Sequence, residues 1–317
     1  ADLRVPPTLT GVLQARLDPL EPAARLLLGR AAVIGRIFWV SAITALETAD
    51  GFHIERTDRL LDDLRRREMI YLREKSDFGG TQEYVIKHAI LRDVIYESLL
   101  KRQQRSYHAA AAEWLIQASA ERADEYTGLI AEHYEKAGEL TKAAGYLLNA
   151  GEQAYKVAAY PEALESLNHA LTILPAEGED AQRMRVKVSL LLAEIHDAAG
   201  RYNEAHSLLE PTLVLARALN DPVAIAKTLG QLGRLVGMRR AKFAEGEVYL
   251  KEADTLARSA DDLPTLMYVL RQLGNLYQFT EDNLPLSLPV LEESLRLARG
   301  LEDEFSVAIS LNSIGNT

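Results

Sequence analysis

Between residues 120 and 317, apolar residues recur at spacings of three and four, the periodicity of amphipathic helices. One stretch reads Leu190-Leu191-Leu192-Ala193-Glu194-Ile195-His196, then Gly200-Arg201-Tyr202, then Ala205, Leu209 and Leu213. This predicts a helix, a glycine-marked turn and a second helix, with Gly200 where a left-handed C-cap residue is needed. The pattern then repeats. Leu215-Ala216-Arg217, Leu256-Ala257-Arg258 and Leu297-Ala298-Arg299 stand 41 residues apart, each followed by an acidic turn: Asn220-Asp221, Asp261-Asp262, Glu302-Asp303. Leu232-Gly233, Leu273-Gly274 and Ile314-Gly315 keep the same interval. Two independent markers sharing one period predict an array of helix pairs. The small residues Ala193, Gly233 and Gly274 are expected to let paired helices approach closely.

Residues 1–110 carry a different pattern. Helical spacings run over about 9–17, 21–34, 39–49 and 57–68, with Pro22 at a tolerated first-turn position. Ile70 to Lys75 reads as a strand, Asp77-Phe78-Gly79-Gly80-Thr81 as a turn and Glu83 to Ile86 as a second strand. A helix follows from about His88 to Leu100. Helices followed by a hairpin predict a winged helix, with Gly79-Gly80 at the wing tip. The expected fold class is therefore mainly α, with a winged-helix domain (helices plus a small β-hairpin) over 1–108 and an α-α superhelix of helical repeats over 109–317.

Charge separates the same two regions. The chain has a formal net charge of −10. Residues 1–110 hold 17 Lys/Arg against 15 Asp/Glu, or +2, so the remaining residues carry −12. An acidic array is a poor electrostatic match for nucleic acid, which leaves only the first region as a candidate for DNA. The absence of cysteine excludes a disulfide scaffold, a thiolate metal site and a cysteine nucleophile, and it fits a reducing compartment. The most apolar window, Ala31 to Leu46, is interrupted by Arg36 and is too short to span a bilayer. No signal-peptide pattern opens the chain, and it begins at Ala1 rather than Met. The sequence is expected to be a cytoplasmic segment of a longer protein, without a membrane partner.

Catalytic signatures are missing. There is no G-x-x-x-x-G-K-[ST], no H-E-x-x-H (Glu132-His133-Tyr134-Glu135 fails it) and no G-x-S-x-G. The segment is expected to be non-enzymatic and to hold no metal and no cofactor of its own. Arg65-Arg66-Arg67 could meet DNA phosphates, but Asp62, Asp63 and Glu68 dilute its field, so direct DNA contact is not expected.

The repeat resembles the tetratricopeptide repeat (TPR). Ala193, Tyr202, Ala205 and Leu209 match its small–aromatic–Ala–apolar pattern, with Thr212 replacing the last Ala. Ala131, Tyr134, Gly138, Ala143, Leu147 and Ala150 match another unit, and Tyr160, Ala163, Leu167, Ala170 and Pro175 the end of a third. Gly246 and Ser287 depart from it at the Ala position. The period of 41 exceeds the standard repeat of about 34, so these are long-helix variants. The array stops at Thr317 inside an expected first helix, so its capping repeat is expected to be missing. The TPR register places Glu194, Asp197, Arg234, Arg271, Asn275 and Gln278 in the groove lined by each first helix, as candidates for binding a protein or peptide.

Three segments carry a wider resemblance. Pro6-Pro7-Thr8-Leu9 through Gln14-Ala15-Arg16-Leu17-Asp18, Ala31 through Phe38, and His88-Ala89-Ile90-Leu91-Arg92-Asp93-Val94-Ile95-Tyr96-Glu97 are similar to bacterial signalling ATPases of the AAA/STAND type. In that family an output domain precedes the ATPase, a winged helix and TPR-like repeats. The resemblance implies an upstream ATPase partner that binds ATP or ADP in the full-length protein. It also implies a sensor role for His88, because a winged-helix histidine in related ATPases reaches bound ADP. Packing or capping at the strand–helix junction is the alternative for His88, and an ion pair within the domain is the alternative for Arg92-Asp93. The implied function is a regulatory sensor segment. The competing readings are a fragment of a transcription regulator and the regulatory tail of a class III adenylyl cyclase.

Overall fold

The computed structural model describes residues 7–316. Pro6 and Thr317 lie outside the described residues. The protein is mainly helical with one small sheet, and it divides into two compact units, Ala1–Ala150 and Gly151–Thr317.

The first unit opens with α1 (Pro7–Leu17) and α2 (Pro22–Ile34). Pro22 stands in the first turn of α2, and Gly35 ends the helix at φ 154°, donating its N–H to Ala31. Next come β1 (Ile37–Trp39), α3 (Val40–Ala45), α4 (Glu47–Asp50) and α5 (Thr57–Arg66). β2 (Ile70–Leu72) and β3 (Glu83–Ile86) complete an antiparallel sheet in the order β1-β3-β2. Phe38, Ile70, Tyr84 and Ile86 are buried in it together with Leu27, Leu28, Leu61 and Leu64 from the helices.

This departs from the sequence pattern in two places. The expected helix over 39–49 is a strand residue followed by two short helices, and the strand expected over 70–75 ends at Leu72. β1 is three apolar residues in a row, so no alternation marks it. Its pairing with distant β3 (Ile37 opposite Val85, Phe38 opposite Tyr84) makes it a strand.

The β2–β3 loop is fastened inward. Glu83 is buried and accepts hydrogen bonds from Trp39 Nε1 (2.9 Å) and the Asp77 N–H (2.8 Å), and it pairs with Arg73. Phe78 packs against Trp39, Trp114 and Tyr126 at ring separations of 4.9–5.0 Å. After β3 come α6 (Ala89–Ser98), α7 (Lys101–Ser119) and α8 (Ala123–Ala137). The unit boundary falls inside α9 (Leu140–Lys156).

The second unit is a succession of antiparallel helices: α10 (Tyr160–Ile173), α11 (Glu179–Ala198), α12 (Tyr202–Ala218), α13 (Pro222–Arg234), α14 (Phe243–Ser259), α15 (Leu263–Tyr277), α16 (Leu284–Gly300) and α17 (Glu304–Gly315). The 41-residue interval is visible in the backbone. Asn220, Asp261 and Glu302 all take left-handed φ near 50–55°. The next residue in each case, Asp221, Asp262 or Asp303, caps the following helix by accepting an N–H from Ala224, Thr265 or Ser306.

The small residues act as expected. A methyl group on Gly233 would lie 2.5 Å from Leu250 Cγ, and one on Gly274 2.6 Å from Leu291 Cγ. Ser287, at the alanine position, is buried and donates its hydroxyl to the Gly274 carbonyl (2.9 Å). Gly246 faces Gly237 so closely that a methyl group there would meet Gly237 Cα at 2.5 Å.

Candidate functional site on alternate helices

The groove candidates come from α11, α13 and α15, which are the first helices of successive pairs. Glu194 and Asp197 lie three residues apart near the end of α11, on one helix face. Asp197 is buried and meets Arg234 Nη2 at 2.5 Å and Arg239 Nε at 3.4 Å. These are ion-pair distances without hydrogen-bond alignment, since neither carboxylate oxygen has a hydrogen-bond partner among the described residues.

Arg239 gets there through a widened turn. Residues Leu235–Arg239 continue α13 with π-helical geometry, closed by the Arg240 N–H donating to the Leu235 carbonyl (3.2 Å). Glu194 accepts from the Tyr155 hydroxyl at 3.4 Å. Burial works against the charge on Arg234, but Tyr268, Asp197 and Glu194 outweigh it and hold the guanidinium above the ordinary arginine range.

Arg271 is the exception in this network. It lies over the Tyr268 ring at 5.6 Å, and no carboxylate among the described residues is within ion-pairing distance. Burial, together with the nearby Arg234 charge, pushes its pKa down. Asn275, one turn further along α15, makes no side-chain hydrogen bond to a described residue and is half-buried. Gln278 instead turns to α17, donating to the Ser313 carbonyl at 2.9 Å.

The structure thus brings Glu194, Asp197, Arg234 and Arg271 into one electrostatic neighbourhood, with Asn275 beside it and Gln278 engaged elsewhere. The sequence reading missed Tyr155, Tyr268 and Arg239. Tyr268 and Arg271 at a spacing of three were legible as one helix face. Arg239 was not, because a regular helix would have pointed it elsewhere. A separate hollow of about 230 Å³ between α11 and α13 is lined by Arg183, Lys187, Leu190, Asp221 and Lys227.

In the first unit, His88 stands at the N-cap of α6 with extended backbone (φ −123°), exposed, and its side chain makes no capping bond. Arg92 is held within the unit. It donates to the Ala32 carbonyl (2.8 Å), pairs with Asp93 (3.1 Å) and covers the Tyr96 ring (4.9 Å). Arg65, Arg66 and Arg67 each pair with Asp62 or Asp63 on their own helix or just beyond it, in solvent-exposed ion pairs. No metal-binding group of three or more His, Asp or Glu side chains forms among the described residues. No helix among them is long and apolar enough to cross a membrane.

No family model matches the chain. A curated protein described as uncharacterized protein R02095 of Rhizobium meliloti (strain 1021) is 28% identical over 114 residues, which is 36% of this chain and 11% of that protein. The chain therefore spans only a small part of that relative. Among solved structures, aspartyl phosphate phosphatase F from Bacillus subtilis aligns over 96% of this chain and 72% of its own at 13% identity, with a TM-score of 0.50. The apo form of RapI aligns over 70% of this chain and 61% of its own at 13% identity, with a TM-score of 0.51. A Pyrococcus horikoshii STAND protein with a tetratricopeptide repeat sensor aligns over 96% of this chain and 48% of its own, at 14% identity and a TM-score of 0.44. The likeness is one of fold: a TPR-like helical array.

Proposed function

We propose that this chain is a non-catalytic sensor segment of a multidomain signalling ATPase. Its TPR-like array (109–317) binds a protein or peptide, and its first domain (1–108) is a winged helix that passes the binding event to an ATPase lying upstream. Nucleotide, ATP or ADP, belongs to that upstream domain in the full-length protein and not to this segment.

The observation that carries the binding role is Arg271. Glu194 and Asp303 act on this half-buried guanidinium, but no carboxylate among the described residues is within ion-pairing distance, so a carboxylate of an incoming chain can pair with it in bidentate fashion. Asn275 offers an amide beside the same position. Fold alone supports the array as an interaction surface, because stacked helix pairs present extended faces and no reacting centre. The first domain has the element order of a winged helix: helices, a strand, helices, then two strands joined by a loop, in the sheet order β1-β3-β2. A peptide ligand selected from a library on the purified chain is expected to bind at least about tenfold more weakly to R271A/N275A. Equal affinity would remove these residues from the site.

Coupling to the ATPase is assigned to His88. Its imidazole is exposed and makes no capping bond, and an N–H of that ring can donate to a phosphate oxygen. In the full-length protein, H88A is expected to release ADP several-fold faster and to raise basal activity. An unchanged ADP off-rate would remove the sensor role while leaving the groove untouched.

A further inference from the structure

We infer that the open edge of β2 is a docking site for an extended, acidic segment of a partner polypeptide, which joins the sheet as a fourth strand. This lies in the first unit and is independent of the groove.

The register leaves the edge unpaired. The Arg73 N–H donates to the Glu83 carbonyl, and the Lys87 N–H donates to the Met69 carbonyl. With Tyr71 opposite Val85, Tyr71, Arg73 and the Met69 carbonyl therefore face β3, while the Met69 N–H donates to the Leu64 carbonyl. Ile70 and Leu72 are the alternate positions, so their N–H and C=O groups point away from β3. β2 ends the sheet order, and no described strand lies on that side. Native sheets seldom leave such an edge without cover, charge or a partner.

The surroundings select the partner. A hollow of about 810 Å³ runs along this edge, lined by Ile70, Tyr71 and Leu72 from the strand and by Arg59, Asp62, Arg65 and Arg66 from α5. Tyr71 and Leu72 are large apolar side chains left 45% and 40% exposed, which gives an added strand something to pack on. The bank opposite carries three arginines against one aspartate. Arg65 and Arg66 make only solvent-exposed ion pairs, at 3.2 and 3.6 Å, which an incoming carboxylate can replace at little cost. Arg59 is exposed and makes no ion pair among the described residues. Main-chain pairing would supply affinity, and the arginines would reject basic or neutral strands and accept Glu or Asp. An extended polypeptide fits better than nucleic acid, because the alternating N–H and C=O groups that Ile70 and Leu72 leave unpaired are matched by another main chain and not by a phosphate backbone.

The test titrates the full chain with a fluorescent peptide of alternating Glu and Val, with its Lys-Val counterpart, and with a duplex DNA of about 20 base pairs. The Glu-Val peptide is expected to bind saturably and the Lys-Val peptide not to bind. R59E/R66E is expected to weaken binding by at least about tenfold. Leu72→Pro removes an edge N–H while leaving the ladder to β3 intact, and it is expected to weaken binding by a similar factor. N-methylation of alternate peptide amides should abolish binding to the unaltered chain, which tests the strand pairing without any change to the protein. Three results would each overturn the inference: no binding of the Glu-Val peptide, binding indifferent to both N-methylation and Leu72→Pro, or arginine-dependent binding of the DNA with none of the peptide.

Discussion

Replacing Arg30 with methionine is expected to destabilise the first unit by about 3–5 kcal/mol, one of the largest losses a single side chain in this protein can produce. Arg30 is fully buried in α2. Its Nη2 donates to Asp50 Oδ1 (2.6 Å) and to the Phe52 carbonyl (2.5 Å), and its Nε donates to Asp50 Oδ2 (3.2 Å). Nη1 faces Glu47 at 3.6 Å, an ion-pair distance without a hydrogen bond. The Tyr107 hydroxyl of α7 donates to Asp50 as well (2.5 Å). One guanidinium thus ties α2 to the end of α4, to the loop after it and, through Asp50, to α7.

The energetic argument is one of abandonment. Burial alone would raise the Asp50 pKa, but hydrogen bonds from Arg30, Tyr107 and the Phe52 N–H hold it below the usual range. Methionine would fill much of the space and leave Asp50 with its main cation gone. R30M/D50L should recover part of the loss, because a well-packed apolar pair can substitute for a buried ion pair. Urea unfolding of the single and double variants measures both effects. A single variant within about 1 kcal/mol of wild type would show that the knot holds nothing together.

Arg30 also illustrates what the sequence could not say. Its apolar neighbours marked α2 as a helix, yet nothing local distinguishes a buried arginine from a solvated one. The partner is 20 positions away, just past a segment whose pattern reads as one continuous helix. The repeat array was far more legible. The 41-residue interval fixed where the turns fall, which residues are small and which aspartates cap, because each of those features depends on neighbours within one helical hairpin. β1 was invisible for the opposite reason: only pairing with a distant strand makes it one. The candidate site divides in the same way. Glu194, Asp197, Arg234 and Arg271 follow from helical register, while Arg239 depends on a π-turn that glycine packing at 237 and 246 accompanies and that no periodicity announces.

Acidification is expected to destabilise the first unit before its carboxylates are protonated, through two buried histidines. Tyr96 of α6, His108 of α7 and His133 of α8 form a chain of hydrogen bonds, with the Tyr96 hydroxyl 2.9 Å from His108 Nε2 and His108 Nδ1 2.9 Å from His133 Nδ1. The Nδ1–Nδ1 contact needs a proton on one of the two nitrogens and a lone pair on the other. Protonating both rings would set two N–H groups against each other there and break the bond.

Burial is the first cause of depression for both rings, and for His108 the neighbouring His133 adds to it. His108 is brought down to about 2 and His133 to about 4. Lys136 and Arg92 face the pair and push the same way, while Glu132 opposes them at His133. The unfolded chain titrates its histidines at the ordinary 6.5. It therefore binds more protons than the folded chain below that value, and the contribution of the pair is complete above about 6.5 and declines as pH falls toward the folded values. At about pH 5.5 the two rings together should cost about 2–3 kcal/mol relative to neutral pH. The check is the melting temperature of wild type and of H108N/H133N between about pH 7.5 and about pH 5. The double variant should start lower, having lost the hydrogen-bond chain, and then fall much less with acid. Parallel slopes would assign the acid sensitivity to other groups and leave the histidine chain a neutral packing contact.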